Sequence, residues 1–110
     1  MITRSKPWTL QEIRERLTPP LRSAGARRAI VFGSHARREA DASSDLDLVI
    51  IAETDLPFLD RFRAFTGVFD AYRGPMEILV YTPDEFARMI ENENPFIEQV
   101  VKDGVIIYEG

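Results

Sequence analysis

Leu48 to Ile51, "LVII", is apolar on both faces of an extended strand, and that property sets the architecture. A strand with one wet face alternates polar and apolar side chains, so one that is apolar throughout must be covered on both sides. "RRAIVFG" before it and "MEILVYT" after it read as two more strands, and "VIIYE" reads as a short edge strand. Helical patterns separate them. "TLQEIRERL" opens on Thr9 with Glu12 three residues later, a capping box, and places Leu10, Ile13 and Leu17 on one face. Pro19 and Pro20 are expected to interrupt that helix or start a second turn, with Gly25 suiting its end. "SHARRE" reads as a brief helix. "FLDRFRAFTGVFDAYRG" reads as one amphipathic helix, with Phe58, Phe62, Phe65 and Phe69 packing into the core. "TPDEFARMI" and "NPFIEQVVKDG" carry helix starts at Thr82-Pro83 and Asn94-Pro95. Strands alternating with helices predict an α/β (α+β) fold, a mixed β-sheet with helices packed on it. No repeat or linker divides the 110 residues, so residues 1–110 are read as a single domain.

Composition removes several functions. Eighteen acidic residues against fourteen Lys and Arg give a net charge of −4, which argues against general nucleic-acid binding. The absence of cysteine and the single histidine exclude thiolate sites and most zinc chemistry. No apolar run approaches the ~20 residues of a membrane span, and "MITRSKPWTLQEI" lacks a signal-type apolar region, so a cytoplasmic setting is expected.

Asp45 and Asp47 then stand out. Residues two apart on a strand face the same way, so both carboxylates aim together while Leu46 and Leu48 aim at the other side. Like charges crowded in a partly dry place repel unless a cation intervenes. Mg²⁺, held by one or two carboxylates plus substrate phosphates, would remove the penalty. The plainer reading is a polar loop ending in which Ser and Asp serve turn chemistry.

The preceding strand ends in Gly33-Ser34. Glycine permits close backbone approach, a helix start offers free N–H groups to phosphate oxygens, and Arg37 adds a charged fork for the same anion. This is not a Walker loop, whose Gly-Lys-Ser/Thr pattern is absent. A third acid, Glu77, opens the strand "MEILVYT", where it must be solvated, paired or coordinating. His35 is read as an exposed loop histidine in preference to a phosphate contact. Trp8 is read as a staple at the first helix or a contact with a second chain, and a homo-oligomer stays open.

Together, "FGSHARREADASSDLDLVI" and "MEILVYTPDEF" resemble the minimal nucleotidyltransferases of the DNA polymerase β superfamily: Gly-Ser, about ten residues, Asp-x-Asp, then an acid on a following strand. The resemblance runs from about Arg28 to Phe86. It implies the nucleotidyltransferase fold and transfer of NMP, with AMP expected, from Mg·NTP to a hydroxyl. By that match Asp45, Asp47 and Glu77 would be catalytic and hold two Mg²⁺ ions, while Gly33, Ser34 and Arg37 would hold the triphosphate of ATP. Two positions depart from the pattern: relatives usually carry glycine where this chain has Arg38, and commonly Asp where it has Glu77. A carboxylate displaced by ~1 Å can cost ~100-fold in rate.

The smallest members of this family are often paired with an all-helical HEPN-type protein as a toxin–antitoxin couple, and some add AMP to a tyrosine of that partner. The same antitoxin role is expected here by resemblance. Two alternatives stay open: a binding module that neutralises a partner by contact without catalysis, and a nucleotidyltransferase acting on an antibiotic hydroxyl.

Overall fold

The computed structural model describes residues 6–72 and 74–110. Its order is α1 (Leu10–Ser23), β1 (Arg28–Phe32), β2 (Leu46–Ile51), a 3₁₀ segment (Phe58–Phe65), α2 (Thr66–Tyr72), β3 (Met76–Tyr81), α3 (Pro83–Glu91), α4 (Pro95–Asp103) and β4 (Val105–Glu109). The four strands form one mixed sheet in the order β3-β2-β1-β4. β2 runs antiparallel to β1 and parallel to β3, and β4 is antiparallel to β1 at the expected edge.

Both faces of β2 are covered, as its apolar run requires. On one face Leu46, Leu48 and Ile50 pack with Ile13, Leu17 and Leu21 of α1 and with Phe65, Val68 and Tyr72. On the other, Val49 and Ile51 pack with Ile30, with Phe86 of α3, and with Ile97 and Val100 of α4. Even and odd positions of β2 thus serve separate cores, the strand period expressed as two layers.

Helix starts follow the expected chemistry. Thr9 with Glu12, and Thr82 with Glu85, form reciprocal capping boxes, and Asn94 accepts from the Ile97 N–H. Pro19 and Pro20, however, do not interrupt α1, which continues to Ser23. An interior proline costs ~3 kcal/mol or more through a lost bond and a clash. Leu17 and Leu21, fully buried on either side of the pair, hold the helix on the sheet against that cost.

The stretch from Phe58 to Gly74 is also not one helix. It is a 3₁₀ segment followed by the short α2, and Arg73 within it lies outside the described residues. Of the four phenylalanines only Phe65 is fully in the core; Phe69 is half-buried, and Phe58 and Phe62 are 40% and 44% exposed. Arg61 is buried there instead. Its guanidinium donates to the carbonyls of Leu56 (2.9 Å) and Val80 (3.1 Å) and to both carboxylate oxygens of Glu85 (2.6 and 3.1 Å).

Candidate active site

After Phe32 the chain turns at Gly33, where φ is +74°. "SHARRE" forms one helical turn and no more, shorter than the helix its sequence suggests. The Arg37 N–H donates to the Gly33 carbonyl at 3.1 Å, then Arg38 N–H to His35 O (3.2 Å) and Glu39 N–H to Ser34 O (2.9 Å) close it. Those last two bonds are the pair that ends a helix in a Schellman motif, and its left-handed position is held by Arg38, at φ 60°. Glycine ordinarily sits there because a Cβ is strained in that conformation. The early stop comes from this motif. Among the described residues, the N–H groups of Ser34, His35 and Ala36 at the start of the turn have no backbone partner within it.

The following loop is shaped by Asp41. Its Oδ1 accepts from the Ser43 N–H (2.9 Å), the Ser43 hydroxyl (2.8 Å) and the Ser44 hydroxyl (3.2 Å), and these bonds hold its carboxyl below the usual range. The chain leaves this knot at exposed Asp45 and enters β2 at Leu46.

Asp47 lies at the centre of the site. In the sheet register it is paired with Phe32 on one side and Glu77 on the other. Residues in register on neighbouring strands share a face, about 4.8 Å apart. A Cβ placed on Gly33 would lie 2.4 Å from Asp47 Oδ2, so the carboxylate rests directly against the glycine. Burial pushes the Asp47 carboxyl up from its ordinary value; the negative charges of Glu77 and then Asp45 add to that rise, and Arg37 opposes it. The structure therefore brings Gly33, Asp47, Asp45 and Glu77 into one electrostatic neighbourhood. Glu77 is exposed at the start of edge strand β3.

Arg37 is near enough to act on Asp47, yet its Nε is 2.7 Å from Glu39 Oε1, so its fork is already partly engaged. Among the described residues, no three acidic or imidazole side chains close on a common point as they stand. The donor set nonetheless suits a hard divalent cation: its ligand atoms are carboxylate oxygens, and the central carboxylate carries repulsion that a cation would offset. A recess of about 240 Å³ lined by Phe32, Gly33, Arg37, Phe96, Gln99, Val100 and Asp103 opens beside the turn. A larger cleft of about 450 Å³ lies between the turn and the start of α1, bordered by Trp8, His35 and Arg38.

Two residues matter more than the sequence suggests. His35 is 4% exposed and is not a loop-surface histidine. Its Nδ1 lies 3.1 Å from the Asp45 carbonyl and its Nε2 3.4 Å from the Tyr72 hydroxyl. Its position right after Ser34 gives no hint that the ring turns inward. Asp41 is legible only as one polar residue among several in "ADASSD". Trp8 packs against the α1 core, 6.0 Å from the Tyr72 ring, with the Arg16 guanidinium 4.8 Å over its face.

A mixed sheet between helical layers, with Gly-Ser ending one strand and an acid doublet starting the next, defines the nucleotidyltransferase fold of the DNA polymerase β class. Residues 17–110 match the family model "Polymerase beta, Nucleotidyltransferase", and the chain belongs to that family. It is similar to a candidate protein adenylyltransferase of Methanocaldococcus jannaschii, 29% identical over 72 residues, which cover 66% of this chain and 77% of that protein. A solved structure described as a candidate minimal nucleotidyltransferase superposes with TM-score 0.62 at 27% identity, covering 89% of this chain and 95% of the other. A chain from the complex of tri-AMPylated Shewanella oneidensis HEPN toxin with MNT antitoxin shares the fold, with TM-score 0.59 at 15% identity over 93% of this chain and 74% of that one.

Proposed function

We propose that this chain transfers AMP from Mg·ATP to a hydroxyl of a partner protein, a tyrosine of a HEPN-type helical partner being the acceptor that fits best. The observation that carries the reading is the contact of Asp47 with Gly33 inside the row Phe32–Asp47–Glu77. That contact puts Asp47, the second acid of the doublet, beside the turn whose N–H groups and Arg37 suit phosphate oxygens. Asp45 and Asp47 would hold the magnesium that accompanies the nucleotide, and Glu77, in register one strand over, would serve as the third carboxylate and assist in deprotonating the acceptor hydroxyl. Bound magnesium supplies charge neutralisation at the α-phosphate and the leaving pyrophosphate.

The choice of acceptor is supported by two things. The turn borders a recess beside Gly33 and a larger cleft bounded by Trp8, His35 and Arg38, which leaves room for an acceptor presented from outside. The AMPylated toxin in the Shewanella complex and the adenylyltransferase description of the archaeal relative agree with AMP as the group moved. Purified chain, α-labelled ATP, Mg²⁺ and the cognate partner should place label on the partner. Asp45→Asn and Asp47→Asn should abolish it, and labelling by those variants at the parent's level would sink the reading.

A second reading, neutralisation by contact alone, draws on Arg38 in the left-handed position, Arg37 paired to Glu39 and the open arrangement of the three acids. A tight complex that never acquires label would favour it.

A further inference from the structure

We propose that His35 is a positioning residue: its ring, bridging Asp45 and Tyr72, fixes the backbone that presents the Asp45 carboxylate to the ion. The inference rests on the reading of Asp45, Asp47 and Glu77 as the ion site, and it assigns a role to a side chain that the transfer scheme does not use.

Three segments meet on this imidazole. It belongs to the turn after Gly33-Ser34, its Nδ1 bonds the Asp45 carbonyl at 3.1 Å, and its Nε2 faces the Tyr72 hydroxyl of α2 at 3.4 Å. Among the described residues this is the hydrogen bond that crosses from the turn to the loop delivering Asp45. The Asp41 knot braces residues 41–44 internally. Without the ring, the relation between the phosphate side and the first acid of the doublet rests on the β1–β2 ladder, which begins only at Phe32 and Asp47.

The chemistry fixes the ring's state. A backbone carbonyl can only accept, so the proton sits on Nδ1, and Nε2 keeps a lone pair to accept from the Tyr72 hydroxyl. Packing fixes its orientation. The rings of His35 and Tyr72 meet edge to face at 6.5 Å and 82°, and both residues are almost completely buried. An imidazole so placed cannot swing out to a phosphate without leaving a void and giving up the Asp45 carbonyl. It acts through Asp45, as the groups behind metal ligands do, where removal typically weakens ion binding ~10–100-fold.

The test compares His35→Ala, His35→Asn and His35→Gln with the parent by calorimetric titration of Mn²⁺ in the presence of a non-hydrolysable ATP analogue. The asparagine amide nitrogen falls near Nδ1 and can still bond the Asp45 carbonyl, whereas the glutamine nitrogen reaches toward the Nε2 position. The expected result is about tenfold or more weaker binding in the Ala and Gln variants, with Asn within about threefold of the parent. Equal affinity in Ala and parent, or equal losses in Asn and Gln, overturns the role of His35 while leaving the ion site standing. A parent that binds no Mn²⁺ overturns both the ion site and this inference. Where the Ala variant does not fold, the Asn–Gln contrast decides. Nitrogen–proton correlation spectra of the ion-free parent should show the Nδ1–H tautomer, and an Nε2–H ring would overturn the proposal without reference to any ion.

Discussion

Gly33 and Asp47 occupy adjoining space so closely that a methyl group on one would meet the carboxylate of the other: a Cβ at Gly33 would stand 2.4 Å from Asp47 Oδ2. Glycine is required twice, once for that approach and once for φ +74°. Gly33→Ala is therefore expected to cost about 1–3 kcal/mol of stability. The steric part should diminish in an Asp47→Ala background, giving a coupling of about 0.5 kcal/mol or more in a denaturant double-mutant cycle.

Burial first, then the neighbouring acids Glu77 and Asp45, raise the Asp47 carboxyl from its ordinary value. Asp47→Asn keeps the shape and removes the repulsion, so the metal-free variant should melt a few degrees higher than the parent. Mg²⁺ with an ATP analogue should raise the parent's melting temperature, and the same change should abolish that rise. Scanning calorimetry with and without the ligands checks both halves, and a metal-free variant that melts lower contradicts the account.

Arg38 spends backbone energy at a position built for glycine. Arg38→Gly should raise stability by about 1 kcal/mol, or roughly 4 °C in melting temperature for a domain of this size. Circular dichroism melts suffice, and no change would mean the turn relaxes around the arginine at little cost.

The Arg61–Glu85 pair offers a stability test away from the site. Arg61→Ala strands the carbonyls of Leu56 and Val80 together with a half-exposed carboxylate, and should cost about 2 kcal/mol in urea denaturation.

Its pH signature follows from Glu85, whose carboxyl is held low by the Arg61 bond first and the Thr82 N–H second. A depressed folded value means the contribution is complete above the unfolded value near 4.5 and is lost as pH falls through the lower folded value. Glu85→Gln should flatten the acid limb of the stability profile in that window and leave the neutral-to-alkaline part parallel to the parent.

Most of the fold is legible in the sequence because it rests on periodicity and local caps. "LVII" announces a covered central strand, and Thr9-Glu12, Thr82-Glu85 and Asn94-Pro95 announce their helices. The misses arise where tertiary forces win. Leu17 and Leu21 carry α1 through two prolines, and the buried Arg61 accompanies a 3₁₀ winding where the phenylalanine spacing suggests an α-helix. In the site, the spacing of Gly33, Ser34, Asp45 and Asp47 is visible, since those residues must sit at the ends of adjacent strands. The inward turn of His35 is not, because a lone histidine beside a serine reads the same in sequence whether its ring faces water or Tyr72.

Strand β3 has the β2 ladder along one side, and its other flank leans on the 3₁₀ segment through the Arg61 bond to Val80. Glu77 rides on that same strand, three residues upstream. The strand that carries Glu77 is thus tied on both flanks, by its ladder to β2 and by a guanidinium reaching in from the loop side. Freeing the second tie would leave β3 anchored through β2 alone.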